Sequence, residues 1–282
     1  MIAGGEPGLR AHIAAHPVEG TVADKRRAFA RRAGPQPEIG TPDRIGGVEV
    51  VRHGSGPRLV WFHGGGYVMG APDTHLHLAD ALASHGVEII LPRYARAPEA
   101  TWPAPLDDAL ALLDALDSPV ALGGDSAGGH LALNAALARP GKVTALALAS
   151  PNTDRTGLST TRDRESDAMN DDAGDAAFWR MAAPDLPDDD PQASPLLADL
   201  STLPPLHIEL AGAEILLDDG LMLARRAAIA GVATSLHVTP GLMHMHVLWP
   251  HVLPEGATAL ARLAAHAKGA TERTGTHRVA AG

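Results

Sequence analysis

The first group in this chain equipped for chemistry is a serine set among glycines. Gly124-Asp125-Ser126-Ala127-Gly128 has the form G-x-S-x-G, follows an apolar run over 119–122 and opens an Ala-rich helical run over 127–138. A serine on a sharp strand-to-helix turn sits in a strained backbone conformation, so the positions two before and two after it must be very small. Such a turn lifts the hydroxyl out of the sheet, and the helix starting beneath it favours developing negative charge. Earlier in the chain, His63-Gly64-Gly65-Gly66-Tyr67 comes directly after the apolar run RLVWF. Consecutive glycines let a backbone approach a ligand closely and aim its N–H groups at it. A nucleophile on one loop and N–H donors on another are what acyl transfer needs.

Both loops must be held by regular elements, and the sequence supplies them. Short β-rich runs occur at 48–51, 58–62, 87–91, 119–122, 143–149, 206–210 and 232–238. Between them lie segments with helical period at 74–84, 105–116, 127–138, 216–229 and 256–267. This alternation predicts a mostly parallel sheet with helices on both faces, an arrangement that places sites at the C-terminal ends of its strands. Two segments break the rhythm. Residues 1–40 contain a basic helical stretch, ADKRRAFARRA, and then turn Pro/Gly-rich. Residues 152–202 carry twelve acidic and four basic side chains, so most of the net charge of −10 sits there. A structureless loop of that length is unusual in a compact domain, and short helices lying over one edge of the sheet are expected instead. Their charge reads as a solvated outer face, with a modest tendency to repel anionic substrates.

Composition narrows the function classes. The chain has 282 residues, 45% of them hydrophobic and 20% charged, enough for one α/β domain with an insertion. Aromatics make up 3%, too few for stacking platforms, and the negative charge gives no footprint for nucleic acid. With no cysteine, disulfides, thiolate nucleophiles and Cys-ligated metals are excluded. No apolar run approaches the ~18 residues of a membrane span, and no signal peptide is read at the N-terminus. The expected location is cytoplasmic.

With these motifs in order, the chain resembles the bacterial hormone-sensitive-lipase-like esterases of the α/β-hydrolase superfamily. HGGGY and GDSAGG carry the resemblance, which runs from about residue 40 to 268. RYARAPEATWPAPLDDAL is similar to the family's D-Y-R-L-A-P-E stretch, and SPLLADLSTLPPLHIELAGAEILLDDG to its approach to the catalytic acid. The sequence departs at Arg93, Ala95 and Arg96, where the family usually shows Asp, Arg and Leu. The resemblance implies an α/β-hydrolase fold: a catalytic core over 41–151 and 203–270, a helical cap over 1–40 and 152–202, and a flexible tail over 271–282. It also implies a serine carboxylesterase of EC 3.1.1 acting on short-chain esters through an acyl-enzyme, with no cofactor.

The resemblance places the acid at Glu214, although most relatives use Asp. Asp218 and Asp219 compete, but Glu214 comes first after the strand LHIEL and the other two fall a turn into the next helix. For the base, His244 and His246 both qualify. The family's His-Val signature favours His246, whereas spacing from Pro240-Gly241 and from Pro254-Glu255 favours His244, which is taken as the base. The mechanism implied is attack by Ser126, proton removal by His244 oriented by Glu214, and an oxyanion held by the N–H groups of Gly65, Gly66 and Ala127.

Other readings stay open. An amidase or formamidase would use the same residues, and some proteins of this fold bind a ligand without turning it over. Asp, rather than Ser, stands at the elbow of dehalogenases and epoxide hydrolases. The H-x-H pairs His75/His77 and His244/His246 lack a companion carboxylate at a ligand spacing, so no metal is expected. The basic face of Lys25, Arg26, Arg27, Arg31 and Arg32 reads as solvated, paired with the acidic insertion rather than with a membrane. The only partner read is a small-molecule ester, with a homodimer left open. Phe178, Trp179, Leu196 and Leu197 are the large apolar residues expected over the site, too few for a long acyl chain.

Overall fold

The computed structural model describes residue 2 and residues 4–279, the last ten as backbone only. Eight strands form one sheet: β1 (Thr41–Ile45), β2 (Val48–Gly54), β3 (Arg58–Phe62), β4 (Glu88–Pro92), β5 (Val120–Asp125), β6 (Val143–Ala149), β7 (Leu206–Ala211) and β8 (Thr234–Thr239). Their order is β1-β2-β4-β3-β5-β6-β7-β8. The β1–β2 and β2–β4 pairs are antiparallel and every other pair is parallel. This is the α/β-hydrolase arrangement. β1 is the strand that the hydrophobic pattern does not reveal. Its TPDRI is almost wholly exposed at the sheet edge, so no apolar alternation marks it.

Alternation along the central strands sorts the helices into two layers. Val60 and Phe62 of β3, Leu122 of β5 and Leu146 and Leu148 of β6 face one way. They pack against α4 (Ala104–Ala115), α5 (Ala127–Ala138) and α7 (Leu217–Ile229). Leu59 and Trp61 face the other way, with Ala121, Ala145, Ala147 and Ala149, against α3 (Leu76–Ala83) and α8 (Pro254–Val279). The row of alanines on that face lets α8 lie close to the middle of the sheet. α8 continues beyond the expected end at Ala267 and takes in much of the segment expected as a tail; residues 280–282 lie outside the described residues.

Three further helices lie over the strand ends. α1 (Gly5–Ala14) and α2 (Val22–Ala33) come from the N-terminal segment, and α6 (Asp172–Ala182) from the insertion. Leu9, Ile13, Phe29, Ala33, Trp179 and Ala182 join the same apolar core as the α5 face of the sheet. Thr21 and Asp24 close a capping box that starts α2, each side chain accepting from the other's backbone N–H. The insertion outside α6 is short 3₁₀ turns and irregular chain rather than a bundle of helices. Among the described residues the α2 arginines do not make the expected direct ion pairs with its carboxylates, although the Asp167 charge acts on Arg32. Arg26 holds Glu99 and the carbonyls of Val68 and Ala97, and Arg27 holds Asp24. Arg32 reaches the insertion through the Met169 carbonyl at 3.1 Å, and Lys25 lies over the Phe178 ring at 5.5 Å. Among the described residues no helix is long and apolar enough to cross a membrane.

Candidate active site

Ser126 sits between β5 and α5 at φ 54°, ψ −121°, a left-handed backbone that a residue with a side chain rarely adopts. Tight packing forces this turn. A Cβ on Gly128 would lie 1.9 Å from the Phe62 carbonyl oxygen, and one on Gly124 would lie 2.3 Å from that of Gly128. Both glycines of the motif are therefore steric requirements. Ser126 N–H donates to the Ala149 carbonyl at 3.1 Å, which locks the elbow to the neighbouring strand.

The Gly-rich loop follows β3 and passes beside the elbow. Gly65, at φ +118°, packs so closely on the Met69 and Gly70 backbone that a Cβ would come within 2.6 Å of it. Asp125 ties this loop to the elbow from within. Its carboxylate is fully buried and accepts from Trp61 Nε1 at 2.8 Å and from Gly64 N–H at 3.0 Å, with His75 Nε2 3.2 Å away. Sequence reasoning takes Asp125 only as part of the elbow motif and His75 only as half of an H-x-H pair, and assigns neither this contact. The available signal was an acidic residue placed, without room for solvent, between an apolar strand and a helix. At the far end of the loop Arg96 donates to the Gly70 carbonyl, so one of the positions that departs from the family pattern braces the loop from outside.

The residues expected as acid and base follow β7 and β8. Glu214 is fully buried, its Oε1 accepting from Ala211 N–H at 2.8 Å, and its Oε2 lies 2.7 Å from His244 Nδ1. Asp218 and Asp219 hold backbone instead. Asp218 Oδ2 accepts from Thr160 N–H and Oγ1, both at 2.7 Å. Asp219 Oδ2 accepts from Thr153 N–H at 2.9 Å, Asp154 N–H at 3.0 Å and Arg162 Nη2 at 2.7 Å.

Between the two candidate histidines, Met245 adopts φ 58°, and this left-handed step sends them apart. His244 turns to the cavity and its Nε2 has no hydrogen-bond partner among the described residues. His246 is buried with neither ring nitrogen paired, and burial pushes its imidazole down to about 4. Burial also pulls on His244, but the Glu214 hydrogen bond and charge outweigh it, with smaller help from Asp167 and Asp175. Its imidazole is therefore held above the ordinary value of 6.5.

A cavity of about 340 Å³ opens onto Ser126, Gly65, Gly66 and His244. The N–H groups of Gly65, Gly66 and Ala127 have no protein acceptor among the described residues. Ser126 and His244 make no hydrogen bond to each other, a loose fit common before substrate arrives. Of the apolar residues expected over the site only Phe178 lines the cavity; Trp179 and Leu196 are buried in the core beneath. Phe29, Met69, Met169 and Met245, with Pro17, Val18 and Ala177, supply the remaining apolar wall. The rim is mixed in charge, with Glu19, Asp171 and Asp175 against Lys25 and Arg32, so it is less acidic than the insertion's composition suggests. Among the described residues no group of three or more His, Asp or Glu side chains is placed to hold a metal ion.

Comparison with known proteins identifies the family. Residues 59–248 match the family described as the alpha/beta hydrolase fold. An acetyl-hydrolase of Streptomyces hygroscopicus is 34% identical over 87% of this chain and 89% of its own length. The carboxylesterase NlhH of Mycobacterium tuberculosis is 35% identical over 78% of this chain and 76% of its own. The crystal structure of an esterase from the bacterial hormone-sensitive lipase family superposes with a TM-score of 0.83 at 30% identity, covering 93% of this chain and 95% of that one. The chain belongs to the α/β-hydrolase fold family and, within it, to the hormone-sensitive-lipase-like esterases.

Proposed function

We propose that this hydrolase cleaves short-chain carboxylic esters through an acyl-enzyme formed on Ser126. One observation carries the reading: the Glu214–His244 pair at 2.7 Å opens onto the same cavity as Ser126 and the free N–H groups of the Gly-rich loop. His244 removes the Ser126 proton as Oγ attacks the ester carbonyl carbon. Glu214 holds the Nδ1–H tautomer and stabilises the imidazolium that forms. The N–H groups of Gly65, Gly66 and Ala127 take the charge on the former carbonyl oxygen, each such donor contributing about 3 kcal/mol to the transition state. His244 then protonates the leaving alcohol, and later activates the water that releases the acid.

Residues 41–151 and 203–270 act as the catalytic core, and residues 1–40 and 152–202 as a cap over the acyl and alcohol groups. The cavity lies near the small end of the ligand-pocket range, which suits short acids. The test is pre-steady-state hydrolysis of p-nitrophenyl acetate and butyrate beside the matched anilides. A burst of phenol, absent in Ser126→Ala, and a slow anilide are expected. Faster anilide cleavage indicates an amidase, and stoichiometric binding without turnover a receptor.

A further inference from the structure

We infer that Asp167, in the insertion, is a positioning residue that clamps the loop carrying Glu214 to the loop carrying His244. This rests on the proposed roles of those two residues. After β7 and β8 end, backbone links continue between the two loops for only a short distance. Gly212 N–H donates to the Thr239 carbonyl at 2.8 Å and Ala213 N–H to that of Leu242 at 3.0 Å. At the next level up, where the acid and base project, no direct backbone bond joins the loops among the described residues. The Asp167 carboxylate takes that place. Its Oδ2 accepts from Ile215 N–H, the peptide just after Glu214, at 3.2 Å. Its Oδ1 accepts from the N–H of His244 itself at 3.2 Å, and from Met169 N–H at 3.0 Å.

The segment that delivers Asp167 is itself pinned to the loop carrying Glu214, and α1 links it to the loop carrying His244. Arg164 Nη1 donates to the Gly212 carbonyl at 2.7 Å, and Ser166 Oγ to that of Ala213 at 2.9 Å. Arg10 of α1 spans from above, donating to the Ser166 and Gly241 carbonyls at 3.0 Å each. The cap is thereby bonded to the frame of the catalytic pair, so misplacing Asp167 would misalign both members together.

The carboxylate also adds charge near the imidazole. Facing His244 are Glu214 from the acid loop and Asp167 and Asp175 from the insertion, and Arg32 of α2 faces Asp167. Removing the Asp167 charge therefore favours the neutral imidazole and moves the acid limb of kcat/KM to lower pH.

The experiment compares Asp167→Ala and Asp167→Asn with the parent enzyme on p-nitrophenyl butyrate, recording kcat, KM, pH profile and Tm. Misplaced catalytic groups commonly cost about a hundredfold, so kcat of the alanine variant should fall by about ten- to a hundredfold with KM within about threefold. The asparagine variant keeps one acceptor and should fall between, and both should show the acid limb displaced downward. A kcat within about twofold of the parent, or an acid limb that stays put, overturns the inference whatever happens to Tm. If the alanine variant does not fold, the asparagine variant decides by the same criteria. Ser126→Ala is measured alongside: if it stays active, the catalytic assignment fails rather than the clamp.

Discussion

Replacing Asp125 by alanine should separate the Gly-rich loop from the elbow while leaving the proposed nucleophile, acid and base in place. The carboxylate accepts from Trp61 Nε1 and Gly64 N–H inside a fully buried site. Its loss leaves the Trp61 and Gly64 donors without partners, at about 1–3 kcal/mol each, and removes the carboxylate beside His75 Nε2. Against the ~5–15 kcal/mol typical of a folded domain, a destabilised but folded protein is expected. The functional cost comes through Gly64. Its N–H is the tether nearest Gly65 and Gly66, and a released loop no longer presents its donors where the oxyanion forms. Loss of one such donor costs about 10²–10³ in rate, so kcat should fall about a hundredfold with KM little changed. Asp125→Asn keeps the shape and one acceptor, and should lose about tenfold. The assay is steady-state hydrolysis of p-nitrophenyl butyrate, with a urea titration to establish that each variant is folded. A folded Asp125→Ala with kcat within about threefold of the parent would refute the argument, because the loop would then keep its geometry unaided.

His244→Ala should lose about 10⁴ in kcat, whereas His246→Ala should keep turnover and lose stability, checked by kinetics and urea melts; the reverse ranking would reassign the base. The acid limb of kcat/KM should lie above pH 6.5, because His244, the proposed base, must be neutral to accept the Ser126 proton and Glu214 outweighs burial in raising the imidazole. A pH profile with the limb at or below that value would contradict this electrostatic balance. Across acetate to palmitate esters of one phenol, kcat/KM should peak at about six carbons or fewer, since a chain gains ~0.8 kcal/mol per methylene only where an apolar groove receives it. A maximum at octanoate or beyond would mean that the cap opens onto more apolar surface than the cavity contains.

The sequence discloses the parts of this protein that obey a local rule. The elbow is legible because its packing demands Gly124 and Gly128, so the constraint is written in the residues. The central strands are legible because each alternates between two buried helix layers. β1 is not, because an exposed edge strand of polar residues and proline has no pattern to show. The choice between His244 and His246 turns on Met245, whose left-handed backbone divides the pair, and nothing in the residue type announces that conformation. The roles of Asp125, His75 and Asp167 depend on contacts between residues far apart in the chain, which no spacing rule captures.

The acidic insertion reads from composition as a solvated face, and eight of its twelve acidic side chains are exposed. Asp154 and Asp175, at 2% and 5% exposed, and half-buried Asp167 depart from that reading. Asp175 accepts from Asn152 and from Arg155 and Arg162, which hold its carboxyl well below the usual range despite burial. Arg162 in turn binds Asp219 at the start of α7, so an ion network joins α6 to the helix that follows the acid loop. A segment this poor in large apolar residues cannot dock by burial alone. Charge-assisted hydrogen bonds to backbone and guanidinium supply the geometry instead, at the cost of desolvating each ion. Those bonds are directional where an apolar contact is not. A cap held this way can fix the register of the loops beneath it, and Asp167 is where that fixity reaches the proposed catalytic pair.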